Sequence, residues 1–376
     1  MNPKRIKKIL QKYYEMDNHY EDGKVLGSMY TYLPEIVLDT FIKFYQANLG
    51  NEGMYPGTKK MEEKVLKFLL TLSSAKASLF EKKFFGHIVS GGTEANITAL
   101  WIARNMGFNR ILTTKDAHFS IRKAANILNI PLEEISMNTG KMDTGDLESK
   151  IRDGDIVVAT AGTTPLGIVD PIKEIGKICG LYDCFMHVDA AFGGFVIPFL
   201  RELGYMDVKF GFDVPEVMSL TIDPHKMGMA PYPAGAILMR GNLFKYIEVD
   251  APYLVRGKNA SLLGTRQSGS VAAAYASILY FGWNGYREIV KRCMENMHYA
   301  IRRIQEEGFE IFIKPELNIL NIKLKNPSRT KREFLKRGWS VSINPSYRTM
   351  RIVFMPHVTT RVIENFLKEL KNIEKS

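Results

Sequence analysis

Two apolar, β-prone runs of the chain each end in a single ionisable residue. The run 217–222 breaks at Pro224 and delivers Lys226, and the run 185–188 ends in Asp189. Burial disfavours the ammonium form of a lysine, and the neutral amine is a nucleophile that forms imines with carbonyl compounds. A carboxylate at a strand end can keep a pyridine nitrogen protonated, so that the ring accepts electrons. Together they predict an enzyme that uses pyridoxal 5'-phosphate (PLP).

A glycine-rich segment, Ser90-Gly-Gly-Thr-Glu-Ala-Asn96, follows another predicted strand and opens a helix. Gly91 and Gly92 let a phosphate approach the backbone, the helix N-terminus offers free N–H groups, and Thr93 adds a hydroxyl donor. A capped turn with Glu in the first helical turn would look the same. The segment matches neither the Walker pattern nor the dinucleotide fingerprint.

Residues that suit a flat, phosphorylated ring also stand at two further strand ends and beside Asp189 and Lys226. His118 can stack on an aromatic cofactor, Thr163 can reach a ring oxygen, and Ala191 leaves room for the ring. His225 can touch the phosphate. Each of these residues alone has an ordinary structural explanation, such as a turn, a helix cap or a surface charge. Their joint occurrence at five strand ends favours the cofactor hypothesis.

From about residue 84 the pattern alternates between strand and helix, which predicts an α/β fold. The expected sheet is mainly parallel, seven-stranded and covered by helices on both faces, with active residues at the carboxyl ends of its strands. After a long helix, a smaller α+β C-terminal domain is expected. The predicted organisation is an N-terminal helical segment (1–50), a large PLP-binding domain (51–285) and the small domain (286–376). The predicted strands are 86–89, 110–113, 133–136, 155–160, 184–188, 217–222, 235–239, 309–313, 317–324 and 349–354.

Composition excludes several other classes of protein. The 376 residues are 45% hydrophobic and 24% charged, with a net charge of +11, and no apolar run is long enough to span a bilayer. We therefore expect a cytoplasmic protein without a membrane or nucleic-acid partner. Three cysteines without a Cys-x-x-Cys motif predict neither disulfides nor a structural zinc site, and no metal is expected.

Taken together, these motifs closely resemble the group II PLP-dependent amino-acid decarboxylases of fold type I. The resemblance is strongest to the archaeal branch that decarboxylates L-aspartate or L-tyrosine, and it covers nearly the whole chain. The matching segments are Gly53 to Thr58, Ser90 to Asn96, Ala117 to Ser120, Ala161 to Thr164, His187 to Ala191, Asp223 to Lys226, Gly264 to Arg266 and Arg351 to Pro356.

The resemblance implies a role for each matching residue. Lys226 would be the Schiff-base lysine and Asp189 the partner of the pyridinium nitrogen. Thr265 would approach the phosphate of the neighbouring subunit, which makes a homodimer with shared active sites, and Arg351 would face the substrate carboxylate. The remaining cofactor contacts would come from Gly91, Gly92, Thr93, His118, Thr163, Ala191 and His225.

One segment departs from the family. Animal and plant aromatic decarboxylases carry a catalytic tyrosine on a long mobile loop before the Gly-Thr-Arg motif, whereas residues 250–264 are short here. Tyr253 lies in this segment without a clear alignment. Lys226, His118 and Tyr253 all stay candidates for returning a proton to the product.

The expected reaction is decarboxylation of L-aspartate to β-alanine, which serves coenzyme A synthesis. Decarboxylation of L-tyrosine to tyramine, which serves methanofuran synthesis, is the first alternative. The second is a carbon–carbon lyase similar to sphingosine-phosphate lyase, whose relatives usually carry a membrane anchor.

Overall fold

The computed structural model describes residues 2–375, which form two compact units. One comprises 33–291, and the other combines the chain up to Tyr32 with the chain from Arg292 onward. The α-helices are α1 (Pro3–Tyr14), α2 (Glu35–Phe44), α3 (Pro56–Leu72), α4 (Gly92–Asn105), α5 (Phe119–Leu128), α6 (Thr144–Lys150), α7 (Ile172–Cys179), α8 (Ile197–Glu202), α9 (Ser268–Glu306), α10 (Pro327–Lys336) and α11 (Thr360–Lys375). The strands are β1 (Phe84–Val89), β2 (Arg110–Thr114), β3 (Leu132–Ile135), β4 (Met137–Asn138), β5 (Lys141–Met142), β6 (Asp155–Thr160), β7 (Phe185–Asp189), β8 (Val217–Ile222), β9 (Gly235–Arg240), β10 (Val249–Asp250), β11 (Lys258–Asn259), β12 (Ile319–Lys323), β13 (Ser342–Asn344) and β14 (Thr349–Val353).

The larger unit is built on a seven-stranded sheet in the order β1-β9-β8-β7-β6-β2-β3. The pairs from β8 to β3 are parallel, and β9 runs antiparallel to both β8 and β1. This confirms the predicted α/β class with a mainly parallel sheet. Because parallel strands are covered by helices, β6 and β7 are buried along their whole length.

The strand register brings the chemistry to one edge of the sheet. Asp189 at the end of β7 lies opposite Thr160 on β6 and Thr221 on β8. Strand β1 pairs with β9 so that Val89 lies opposite Gly235. The carboxyl ends of β1, β6, β7 and β8 therefore share this edge, where ligands bind in open α/β sheets.

Helix α4 is the central support beneath this edge. Its sequence is rich in alanine, isoleucine and leucine, and nine of its residues are buried. A helix that is apolar on most sides is stable only when surrounded by protein. It packs against α5 and against β8 and β9, so the loop at its N-terminus is held at the carboxyl edge of the sheet.

The smaller unit contains a three-stranded antiparallel sheet in the order β12-β14-β13 and the helices α10 and α11. Phe334 on α10 and Phe366 on α11 stack with their ring centroids 5.2 Å apart. The N-terminal chain joins this unit because the amide of Leu26 donates to Ser340 O and the amide of Val353 donates to Leu26 O.

Two predictions differ from these observations. The N-terminal segment was expected to end at residue 50, but residues 33–50 belong to the larger unit, where the amide of Leu49 donates to Arg266 O. The strand expected at 309–313 is reduced to one isolated bridge between Ile311 and Ile322. Two backbone hydrogen bonds flank this bridge: the amide of Phe312 donates to Asn321 O, and the amide of Lys323 donates to Glu310 O. Over residues 2–375, none of the helices combines the length and the hydropathy that a membrane span needs.

Candidate active site

A cavity of about 320 Å³ opens at the carboxyl edge of the large sheet. This volume lies in the range of small-molecule sites, roughly 300–1,000 Å³. Eight of the predicted site residues line it: Gly91, Gly92, Thr93, His118, Asp189, Ala191, His225 and Lys226. The fold therefore brings together here eight of the twelve site residues that the sequence predicted.

The glycine-rich loop between β1 and α4 forms one end of the cavity. A Cβ on Gly92 would lie 2.9 Å from Asp223 Oδ2, and a Cβ on Gly91 would lie 3.2 Å from His225 Cε1. Glycine is thus needed for close packing at these positions. The N-cap residue Gly91 has no side chain to bond the first amides of α4, so those N–H groups can serve an anionic ligand.

Asp189 is a carboxylate in the lining of the same cavity. Its side chain is buried, Oδ1 accepts the amide of Ala191 at 3.0 Å, and Oδ2 accepts Asn96 Nδ2 at 2.8 Å. Both oxygens are acceptors, which is the arrangement of an ionised carboxylate. A carboxylate held in this way can stabilise a protonated ring nitrogen.

Lys226 follows β8 and forms an ion pair with Asp223, whose Oδ2 lies 3.0 Å from Lys226 Nζ. Asp223 is buried, and its Oδ1 has no hydrogen-bond partner within the described residues. A buried oxygen without a donor at the mouth of a cavity leaves room for a donor on a bound molecule. Asp223 was part of the recognised motif, but the sequence assigned it no role.

Both cavity histidines are neutral because of burial. Burial lowers the pKa of His118 and of His225, and the nearby carboxylates do not outweigh it. His225 Nδ1 accepts the amide of Ala234 at 3.2 Å. Since a backbone amide can only donate, the proton of the neutral His225 ring is on Nε2, which lies 3.6 Å from Asp223 Oδ2.

Thr163 is placed differently from the prediction. It is buried, but it does not line the cavity: its hydroxyl accepts the amide of Ile168 at 3.2 Å, which fixes the turn after β6. The neighbouring Gly162 and Thr164 line the cavity instead. A turn of consecutive small and hydroxyl residues gives no sequence signal for which of them points inward.

Three other predicted residues lie outside this cavity lining. Tyr253 is 86% exposed, and Thr265 is exposed. Arg351 belongs to the smaller unit, where it is half-buried and donates through Nη2 to Gly27 O at 2.7 Å. Burial lowers the pKa of Arg351 to about 10, so it is charged at neutral pH.

A second cavity, of about 410 Å³ and lined by several charged residues, lies in the larger unit. Glu52, His87 and Arg266 are among the residues that line it. Glu52, Glu62 and His87 are close enough together to ligate a metal. However, Arg266 lies 2.5 Å from Glu62 and 2.7 Å from Glu52, and Lys59 pairs with both carboxylates. Burial disfavours ionised Glu62, but Arg266 and Lys59 outweigh it and hold its pKa far below the usual range. The cluster is therefore best described as an ion-pair network.

Asn96 also lines the cavity of about 320 Å³. The sequence identified it only as the last residue of the glycine-rich segment. Its amide joins Asp189, Ser120, His187 and Thr221. The set as a whole fits PLP, since it offers free amides for a phosphate, a carboxylate for a pyridinium and an amine for an aldehyde.

Comparison with known proteins agrees with this chemistry. Residues 46–325 match the family described as the pyridoxal-dependent decarboxylase conserved domain. A relative from Pyrococcus abyssi, named a probable L-aspartate decarboxylase, is 42% identical over 98% of this chain and 96% of its own length. A relative from Methanococcus aeolicus, named a probable L-tyrosine/L-aspartate decarboxylase, is 38% identical over the full length of both chains. The solved sphingosine-1-phosphate lyase of Burkholderia pseudomallei has the same fold, with a TM-score of 0.88 over 100% of this chain and 91% of its own, at 22% identity. The chain belongs to the pyridoxal-dependent decarboxylase family.

Proposed function

We propose that this protein is a PLP-dependent carboxy-lyase that converts L-aspartate to β-alanine and CO2. The observation that carries the proposal is the meeting of Lys226, Asp189 and the glycine-rich loop in one cavity at the carboxyl edge of the sheet. Each of the three suits a different part of PLP: the aldehyde, the ring nitrogen and the phosphate. A cavity that offered only an anion site would not need Asp189 facing it.

When bound, PLP supplies an aldehyde carbon to an amine and a ring that accepts the electron pair left by CO2. The amides of the glycine-rich loop and His225 Nε2 would hold the phosphate, and Thr93 would add a hydroxyl. Lys226 Nζ would hold the aldehyde until the substrate amine replaces it. Asp189 would keep the ring nitrogen protonated, and His118 and Ala191 would lie against the two faces of the ring.

The remaining roles concern the substrate and the returning proton. In the proposal Arg351 binds the α-carboxylate, because a guanidinium pairs with a carboxylate through two parallel hydrogen bonds. Lys226 Nζ and His118 Nε2 are proton carriers at the cavity, and Tyr253 is retained as a third candidate for protonating the product. Thr164, which lines the cavity, takes the place of Thr163 as the hydroxyl that would face the ring.

L-Aspartate is proposed as the substrate because both relatives described above include it in their names. The product would then be β-alanine for coenzyme A synthesis, in the cytoplasm. L-Tyrosine is the second candidate, since the name of the Methanococcus relative includes it as well. The likeness to the lyase of Burkholderia extends to the fold at 22% identity and does not favour carbon–carbon cleavage of a sphingoid base.

We further propose a homodimer in which Thr265 serves the site of the partner subunit. The exposure of Thr265, next to the buried Arg266, supports this part of the proposal. Arg266 donates to the carbonyl oxygens of Leu49 and Ile88 as well as to Glu62. These bonds hold the backbone at residue 265 in a fixed place at the surface.

The deciding experiment is a panel of L-amino acids, containing aspartate, glutamate, tyrosine and other aromatic residues, with CO2 and amine detected separately. We expect β-alanine from aspartate with the highest kcat/KM, and no CO2 from the matched variant Lys226→Ala. A higher kcat/KM for tyrosine would contradict the aspartate assignment alone. An aldehyde product from a phosphorylated sphingoid base, with no CO2 from any amino acid, would contradict the decarboxylase assignment.

A further inference from the structure

A buried polar network lies beneath the cavity and is centred on Asn96. Asn96 sits in the second turn of α4 and is fully buried. Its Nδ2 lies 2.8 Å from Asp189 Oδ2 and 2.9 Å from Ser120 Oγ. Its Oδ1 lies 2.7 Å from Thr221 Oγ1 and 3.0 Å from His187 Nε2. All four hydrogen-bonding positions of the amide are therefore used.

The direction of each hydrogen bond in this network follows from its partners. An ionised carboxylate can only accept, so the NH2 group of Asn96 must face Asp189. The oxygen of Asn96 then faces His187, whose Nε2 must carry a proton. Burial lowers the pKa of His187 to about 4, so the ring is neutral at pH 7. Its Nδ1 accordingly accepts the hydroxyl proton of Ser219 at 2.7 Å.

The same reasoning reaches His118 through Ser120. Ser120 Oγ accepts one proton of the Asn96 amide, so its own hydroxyl proton is free to be donated elsewhere. The nearest acceptor is His118 Nδ1, at 2.8 Å. His118 Nδ1 also accepts the backbone amide of Ser120, at 3.4 Å, and a backbone amide can only donate. The single proton of the neutral His118 ring is therefore on Nε2, and the shorter bond from the Ser120 hydroxyl strengthens a preference that the longer bond from the amide already gives.

We propose that Asn96 is a positioning residue: it fixes the carboxylate of Asp189 and, through the hydroxyl of Ser120, strengthens the preference of His118 for the Nε2–H tautomer. The inference rests on the proposed roles of Asp189 and His118 toward PLP. It explains why an amide is needed here, because an aspartate lacks the donors and an aliphatic residue lacks both donors and acceptor. Thr98 Oγ1 on the same helix is also buried, and it has no hydrogen-bond partner among residues 2–375.

The network has two branches, and single substitutions separate them. Asn96→Ala removes both branches, whereas Ser120→Ala removes only the branch to His118. Thr98→Val is the matched control, because it deletes a buried hydroxyl of α4 that takes no part in the network. Asp189→Asn, measured in parallel, tests the underlying site assignment.

The first measurement is the affinity of the cofactor-free protein for PLP, followed by absorbance. We expect Asn96→Ala to weaken binding about tenfold or more, which corresponds to about 1.4 kcal/mol. Ser120→Ala and Thr98→Val should stay within about threefold of wild type, a change of less than about 0.7 kcal/mol. If Asn96→Ala does not fold, Asn96→Asp serves instead. Its affinity for PLP should fall as the pH rises, because the new carboxyl group donates to Asp189 only while protonated.

The second measurement is the ¹⁵N spectrum of the histidine rings in the cofactor-free protein, with the His118 signals identified from His118→Phe. Wild type and Thr98→Val should show a protonated Nε2 on His118. Ser120→Ala keeps the backbone amide that donates to His118 Nδ1 but loses the hydroxyl, so it should show a larger fraction of the Nδ1–H tautomer than wild type. Wild-type PLP affinity in Asn96→Ala, or an unchanged His118 tautomer in Ser120→Ala, would overturn the positioning role. If both Asn96→Ala and Asp189→Asn bound PLP with wild-type affinity, the site assignment itself would fail. If Asp189→Asn bound PLP more weakly and Asn96→Ala did not, only the role of Asn96 would be overturned.

Discussion

The substitution Asp189→Asn preserves the shape of the side chain but removes its charge and one of its two acceptors. In the wild type, Ala191 N and Asn96 Nδ2 both donate to the carboxylate, at 3.0 and 2.8 Å. An amide has a single oxygen, so in either orientation its NH2 group faces one of these donors. Breaking a buried charge interaction by removing one partner costs about 3–5 kcal/mol, and each 1.4 kcal/mol is about tenfold in rate. We expect turnover to fall at least about a hundredfold.

The double variant Asp189→Asn/Asn96→Asp distinguishes the effect of the hydrogen bonds between these two side chains from the effect of the position of the negative charge. It restores one donor and one acceptor between the two side chains but moves the carboxylate onto α4. We expect its melting temperature to rise above that of Asp189→Asn while turnover, measured by CO2 release at saturating PLP and L-aspartate, stays low. Near-normal turnover of Asp189→Asn would refute the role of the carboxylate at the ring nitrogen. Recovery of turnover in the double variant would show that the location of the charge is unimportant.

Three further experiments test other parts of the molecule. The variants Lys226→Ala and Thr265→Asp, each expected to be inactive alone, should regain activity when they are mixed and reassembled, because one of the two sites in a mixed dimer has both residues intact. If mixed dimers are shown to form but have no activity, the active sites are not shared between subunits. Arg351→Lys should lower kcat/KM about tenfold or more for every accepted amino acid, since lysine cannot make the paired hydrogen bonds; an unchanged kcat/KM would exclude Arg351 as the carboxylate ligand. In the folded protein, burial lowers the pKa of His187 from 6.5 to about 4. Between these two pH values the unfolded chain binds a proton at His187 and the folded protein does not. The free energy of unfolding should therefore fall by about 3 kcal/mol as the pH is lowered from 6.5 to 4. In His187→Gln, the free energy of unfolding measured with urea should fall by correspondingly less over the same pH range. The same pH dependence in the variant and the wild type would contradict a neutral His187 ring.

The residues that the sequence identified share a local signal. Lys226 and Asp189 each end a run of apolar residues, and the glycines stand between a strand and a helix. Such positions can be recognised because the pattern of a few neighbouring residues fixes the strand, and parallel pairing then fixes the edge. The register of Asp189 with Thr221 is the consequence that the structure adds.

Asn96 had no such signal, although it was part of a recognised motif. Its partners Ser120, His187, Asp189 and Thr221 lie 24, 91, 93 and 125 residues away in the chain. A hydrogen-bond network among four separate elements depends on the relative placement of strands and helices. Periodicity and spacing do not contain this information. The same holds for Arg266, whose partner Glu62 is 204 residues away.

The cavity at the strand ends accounts for the cofactor chemistry but not for the choice of amino acid. Among the described residues that line it, Lys226 is the one lysine or arginine, and its amine is already paired with Asp223. Burial keeps His118 and His225 neutral. A cation for the second carboxylate of L-aspartate must therefore come from outside this lining. The strand-end motifs serve the chemistry that every amino-acid substrate shares, which is why resemblance in those motifs left aspartate and tyrosine as alternatives. Substitutions that change the preference between the two should accordingly lie away from the strand ends.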